Sequence, residues 1–271
     1  YGLLCLEIQG LFHYSVDINY HLELSNIRRS HRGSIAGNLS YICGERVYDK
    51  YFDKTYYNHR KDVVAKRIYL PEDAPKEYKD LQLLCDAIND AEKRWDARTG
   101  RQLIGSLPNE LPPGEWIRLI REFLDRNFVT HGLCAIAAIH WGRNPTSPSR
   151  NNPHVHMIIT TRTIGPEGFN KSKDREHNKK EYLHLWRKQW ADVQNRAYER
   201  NRLDTRVSHE SLRAQELNRE PTIHLSRADW RREMRGEQTK AGERKRQIKE
   251  RNQERRRELE MERTIEQERS R

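Results

Sequence analysis

Residues Leu133–His140, Leu-Cys-Ala-Ile-Ala-Ala-Ile-His, form an unbroken apolar run of strand length. Such a run reads as a strand. Gly142, Pro145, Pro148 and Pro153 then mark residues 141–153 as a loop. Beyond it, residues 155–161 read as a second strand. One loop between two strands makes them antiparallel neighbours, so the chain needs a sheet at its centre. Residues 20–25 alternate as a half-buried strand does, and 64–70 and 103–107 read as further strands ended by Pro71 and Pro108. Residues 27–33 read as a polar, arginine-rich loop. Helices are expected over 35–43, 81–99, 115–127 and 182–201, the last with Trp186, Trp190, Val193 and Ala197 on one face. Strands and helices interleave without the regular crossovers of a parallel sheet, so the class is α+β.

Charge divides the chain. The 271 residues carry 51 Lys+Arg against 40 Asp+Glu, a net charge of +11, which points to a polyanionic partner. Residues 226–271 hold 16 basic and 11 acidic side chains and six scattered apolar ones, too few for a packed core. Their Glu, Arg, Lys and Gln favour a solvated helix, with Arg246–Glu250 and Arg251–Glu254 as pairs along it. We therefore expect an N-terminal extension over 1–17, a main domain over 18–225 and a charged helical extension over 226–271. No apolar run reaches the ~18–20 residues that span a bilayer. Residues 1–12 lack a basic leader and a small-residue cleavage site. Four dispersed cysteines, with no CxxC pair, fit reduced thiols and a cytoplasmic setting.

The chemical signal is the set of histidines around the loop. Side chains alternate faces along a strand, so His154 and His156 point the same way while Val155, Met157 and Ile159 point the other. Antiparallel pairing brings His140 beside them. Three imidazoles suit one divalent ion such as Zn, Mn, Co or Ni and leave coordination positions open. A polar sheet face with a histidine at a strand end is the plainer alternative.

These residues, with others in the same order, resemble the relaxase domain of the MobA/MobL family of conjugative mobilisation proteins, within the HUH endonuclease class. Ala-Ile-His140 and Asn-Pro-His154-Val-His156 look like that family's histidine triad. Tyr20-His-Leu, Arg32-Gly-Ser, Ser40-Tyr41-Ile42, Glu92-Lys-Arg-Trp-Asp96, Leu107-Pro-Asn-Glu-Leu111 and Glu220-Pro-Thr-Ile-His224-Leu fit in sequence, so the likeness covers about residues 18–225. It implies a five-stranded antiparallel sheet with flanking helices. It also implies metal-dependent transesterification on single-stranded DNA at an origin of transfer, with Mg or Mn as the ion. The nucleophilic tyrosine maps onto Tyr41, with Tyr48, Tyr56 and Tyr57 as rivals. Attack by Tyr41 would leave a 5′-phosphotyrosyl link and a 3′-hydroxyl, keeping the bond energy for religation after transfer. A free phenol titrates near ~10, so a metal or positive surroundings would help it react. The resemblance also implies accessory mobilisation proteins and a type IV secretion coupling protein as partners, and export with the transferred strand.

One departure stands out. The family carries acidic residues in the strand before Leu107-Pro108, where this chain has Gln102 to Ser106. Arg28, Arg29, Arg32 and Arg46 lie near the implied nucleophile and read as phosphate contacts or as ordinary solvated charges. Trp141 reads as a base-stacking residue or a packing one. His209 and His224 match family positions outside the triad and read as structural. Three other functions are open on sequence: a DNA-binding module with a structural metal, a rolling-circle replication initiator, and a hydrolase of small phosphate esters.

Overall fold

The apolar run becomes β6 (Leu133–His140), with every residue buried. A computed structural model gives the fold, describing residues 20–31, 33–142, 151–215, 219–223 and 225–269. Arg32 and His224 lie outside these described residues, as does the expected N-terminal extension. β6 pairs antiparallel with β7 (His154–Gly165) and with β4 (Val63–Tyr69). On the other side of β7 lie β5 (Arg98–Ser106) and then β1 (Leu22–Arg28). That path has the five antiparallel strands the sequence led us to expect. A sixth, β8 (Gly168–Lys173), folds back on the far end of β7 and enlarges the sheet.

Both faces of this sheet are covered, which is why β6 tolerates no polar residue before its last. Leu133, Ala135, Ala137 and Ile139, with Val155, Met157 and Ile159, face α3 (Pro113–Asn127) and α4 (Lys180–Arg200). Trp116, Phe123, Trp186 and Trp190 come from those helices and are at most 2% exposed. Burying each such side chain contributes roughly 1.5–3 kcal/mol. Gly105 lies beneath Trp190, where a Cβ would meet the indole at 2.7 Å. The opposite face holds Cys134, Ile136, Ala138 and Ile158 under α1 (Ile35–Cys43) and α2 (Leu81–Ala91). Between α1 and β4 lies a separate hairpin of β2 (Arg46–Asp49) and β3 (Lys54–Tyr57).

Several boundaries differ from expectation. The arginine-rich stretch is not a loop throughout, because β1 continues to Arg28 before a short 3-10 turn. The helix expected over 81–99 stops at Ala91. Glu92 there is 4% exposed and receives Arg162 and Lys173, each at 2.8 Å. Thr161 also donates to Glu92 at 2.8 Å, and these distant partners pull its backbone out of helical geometry. Trp95, placed on that helix by sequence, is 70% exposed.

The chain separates into two units, Tyr1–His209 and Glu210–Arg271. The second contains α5 (Arg227–Met234) and α6 (Lys240–Arg269). Arg251 and Arg246 do not pair along α6 as expected. Arg251 meets Glu220 at 2.8 Å and Arg246 meets Glu233 at 2.6 Å, because those carboxylates lie across from the helix on neighbouring segments. Among the described residues, no helix is long and apolar enough to cross a membrane.

Candidate active site

The site forms where the last turn of α1 meets the ends of β6 and β7. Ser34 caps α1 by accepting the Gly37 N–H at 2.9 Å, and Gly44 ends it with φ 68°, a left-handed conformation that glycine adopts without strain. Ile35, Ala36, Leu39 and Ile42 bury one side of the helix, which leaves Tyr41 on the other, 44% exposed. The final carbonyls of a helix lack partners within it. One of them, Ile42 O, accepts from Nε2 of His140 at 2.8 Å. That bond fastens the helix carrying Tyr41 to the strand carrying His140.

The strand register assembles the histidines. His140 lies opposite His154 and Ala138 opposite His156. The three ring centroids are 4.6–5.3 Å apart. One nitrogen from each lies within 4.8 Å of the others, an arrangement able to hold a metal ion. Hydrogen bonding selects the tautomers. His140 spends Nε2 on Ile42, and His154 Nδ1 donates to Asn152 O at 2.7 Å, leaving its Nε2 for a ligand role. Nδ1 of His140 and Nε2 of His156 are buried without a partner. Unsatisfied buried nitrogens are uncommon, and a bound cation would satisfy both. Gln102 stands 3.4 Å from Nδ1 of His156. With its amide oxygen turned there it accepts Nδ1–H, leaving Nε2 as a lone pair. This chemistry fits a divalent metal.

Burial and neighbouring charge disfavour protonation of His156 and His140. Burial, then the two neighbouring imidazoles and Arg60, push His156 down to about 3. Burial also lowers His140, against the opposing bond to Ile42. The unfolded chain would bind these protons near 6.5 and the folded chain only at lower pH. Stability of the metal-free protein is therefore lost as pH falls through that window. We expect its thermal midpoint to drop between about pH 7 and about pH 4, with a shallower slope in His156→Gln. Equal slopes in melts across that range would contradict this.

Tyr41 closes the site. Its ring centroid lies 5.8 Å from His156 and 6.2 Å from His140. Among the described residues, no other tyrosine ring contacts the triad. Tyr48 donates to Asp53 at 2.7 Å, which raises its pKa, and Tyr56 lies against Gly37 of α1. Two neighbours of Tyr41 were not legible in the sequence. Arg60 lies 4.6 Å from the Tyr41 ring centroid and is held by Asp62 in a two-pronged pair at 2.8 and 2.6 Å. Arg60 in turn holds the Asp62 carboxyl down at about 2. Asp62 acts electrostatically on His140 and His156, opposing the lowering by burial, which is the larger influence on both.

The arginines part ways. Arg28 and Arg46 are exposed. Arg29 is 4% exposed, bonded to the Glu92 carbonyl and to Asn89 at 2.7 Å, with Tyr51 stacked on it at 3.7 Å. Its guanidinium serves the fold, not a phosphate. Trp141 packs edge-on against Trp116 at 5.4 Å. His209 is half-buried and follows α4 in the chain.

A sequence profile described as the MobA/MobL family matches residues 32–235. Over 250 residues the chain is 28% identical to a probable mobilization protein MobA of Bifidobacterium longum (strain NCC 2705), covering 76% of this chain and 42% of that protein. It is 25% identical over 228 residues to a 43 kDa relaxation protein of Salmonella typhimurium, covering 74% of this chain and 56% of that one. The chain thus spans about half the length of these relatives. A solved structure described as the molecular basis of vancomycin resistance transfer in Staphylococcus aureus superposes with a TM-score of 0.63 at 27% identity. That match covers 72% of this chain and all of the other.

Proposed function

The chain belongs to the MobA/MobL family, and from that premise and the geometry above we propose that it nicks one DNA strand by tyrosine transesterification and later rejoins it. The observation that carries this reading is the Tyr41 ring set 5.8 Å from His156, beside unpartnered nitrogens of His140 and His156. Likeness to proteins named for mobilization and relaxation supports this reading, in which the substrate is the single strand at an origin of transfer.

The Tyr41 oxygen attacks phosphorus, an O–P bond forms, and the bond from phosphorus to the 3′-oxygen breaks. The phenolic proton is lost and the departing 3′-oxygen gains one, so a 5′-phosphotyrosyl link and a 3′-hydroxyl result. Arg60 stabilises negative charge on Tyr41 as its proton leaves and faces the incoming phosphate. Asp62 holds Arg60 in that pose. His140 sets the position of Tyr41 through Ile42. His140, His154 and His156 would hold a divalent ion, Mg or Mn, with Zn, Co or Ni also suited to imidazole. When bound, that ion supplies Lewis-acid polarisation of a phosphodiester oxygen. Arg28 and Arg46 supply exposed charge for phosphates of the same strand.

The test uses single-stranded oligonucleotides tiled across the DNA upstream of the reading frame, with Mn²⁺ and then Mg²⁺. A covalent adduct on a denaturing gel supports the reading; tight binding without an adduct under any divalent ion contradicts it. A second expectation concerns Gln102. A carboxylate accepting Nδ1–H would make His156 a more basic ligand, and such partners typically change metal affinity by about 10–100-fold. Gln102→Glu should therefore tighten Mn²⁺ binding by roughly 10-fold in calorimetry. Unchanged affinity would detach Gln102 from the site.

A further inference from the structure

The β2–β3 hairpin pairs apart from the main sheet, and of its residues only Arg46 has been given a role above. Its register pairs Arg46 with Tyr57 and Tyr48 with Thr55. Alternation along the strands puts these four side chains on one face. All four are exposed, with Tyr48 at 40% and Tyr57 at 57%, while Val47 and Asp49 on the other face are buried. The outward rings are held by polar contacts. Tyr48 is tied to Asp53, the Arg46 guanidinium lies 5.6 Å from the Tyr57 centroid, and the Tyr57 hydroxyl is 3.3 Å from Nδ1 of His59.

This face leads to the nucleophile. The backbone N–H of Asn58, next after β3, donates to Ser40 Oγ at 3.0 Å, and Ser40 precedes Tyr41. Two residues further on, Arg60 stacks on Tyr41. Exposed rings thus run from Tyr48 through Tyr57 and His59 to the half-buried Arg60 and on to Tyr41. Positive charge alone would attract any polyanion. Rings interleaved with cations instead suit unpaired bases, because a duplex keeps its base faces stacked internally while a single strand offers them.

We propose that the outward face of this hairpin is a stacking platform for unpaired bases of the DNA strand flanking the bond that Tyr41 attacks. The location of that bond rests on the reading of the chain as a nickase; the platform itself does not. Each stacked ring secures the strand without reading its sequence, and the track delivers the backbone towards Arg60.

The test measures anisotropy of fluorescein-labelled dT20 with the full chain. Stacking on one ring predicts that Tyr57→Leu weakens binding by roughly 5-fold or more, and that Tyr48→Leu with Tyr57→Leu weakens it further. Tyr57→Phe keeps the ring and should bind within about twofold of wild type, which separates stacking from loss of the hydroxyl. Circular dichroism checks that each variant is folded. Photocrosslinks from 5-iododeoxyuridine in the same oligonucleotide should fall in tryptic peptides 47–50 or 55–60. The proposal is overturned if wild type does not bind dT20, if the double variant binds it as wild type does, or if a dA20–dT20 duplex suffers the same losses. The adduct assay is read separately. An adduct with no hairpin effect sinks the platform alone; a hairpin effect with no adduct on any tiled oligonucleotide sinks the nickase reading alone.

Discussion

Replacing Tyr41 with Phe is expected to abolish the covalent protein–DNA adduct, a loss of at least about 10³-fold, since no other oxygen takes the place of a removed nucleophile. The substitution deletes one half-exposed hydroxyl and leaves the ring against His140 and His156. Fold and binding of the uncut strand should therefore survive, as circular dichroism and anisotropy would report. Tyr48→Phe and Tyr56→Phe should still form the adduct. Tyr48 lies on the hairpin with its hydroxyl engaged by Asp53, and Tyr56 is packed on α1. A Tyr41→Phe protein that forms the adduct at the wild-type rate would overturn the assignment.

The second large effect concerns the triad. His156→Ala removes a buried nitrogen that no protein group satisfies. Loss of a direct ligand should exceed the roughly 10–100-fold that loss of an outer partner brings, so Mn²⁺ affinity in calorimetry should fall by more than about 100-fold. The adduct should disappear with it, and EDTA should mimic the effect reversibly in the wild type. His140→Ala should do more. It removes a ligand and also frees the Ile42 carbonyl, loosening the turn that carries Tyr41. Its thermal midpoint should fall below that of His156→Ala, and added Mn²⁺ should not restore it. Unchanged metal affinity in both variants would show that the triad is not a metal site.

How much of this was legible in the sequence follows from where the signals lie. The alternation of His154 and His156 and the single loop back to His140 were enough to bring three imidazoles together. Tyr41 was legible only through family resemblance, since nothing local separates it from other surface tyrosines. The Ile42–His140 bond that places it spans 98 residues. Arg60 and Asp62 escaped notice because residues 58–62 have no helical or strand period. Their role depends on β4 running beside β6, which the register of Val63 against His140 reveals. The overrun of α2 has the same origin: Glu92 leaves the helix for Arg162 and Lys173, partners far along the chain. Arg29 was misjudged because burial of a guanidinium by Asn89 and Tyr51 is a tertiary fact. The two four-residue strands of the hairpin are too short for a periodic signal.

Tyr41, and no other side chain, is expected to take the phosphate. Trypsin separates the contenders, because residues 33–46 contain Tyr41 alone, 47–50 contain Tyr48, and 55–60 contain Tyr56 and Tyr57. Mass spectrometry of the nuclease-trimmed adduct should find a nucleotide phosphate on the 33–46 peptide and on none of the others. Finding it on 47–50 or 55–60, or on a histidine of the triad, would contradict the account.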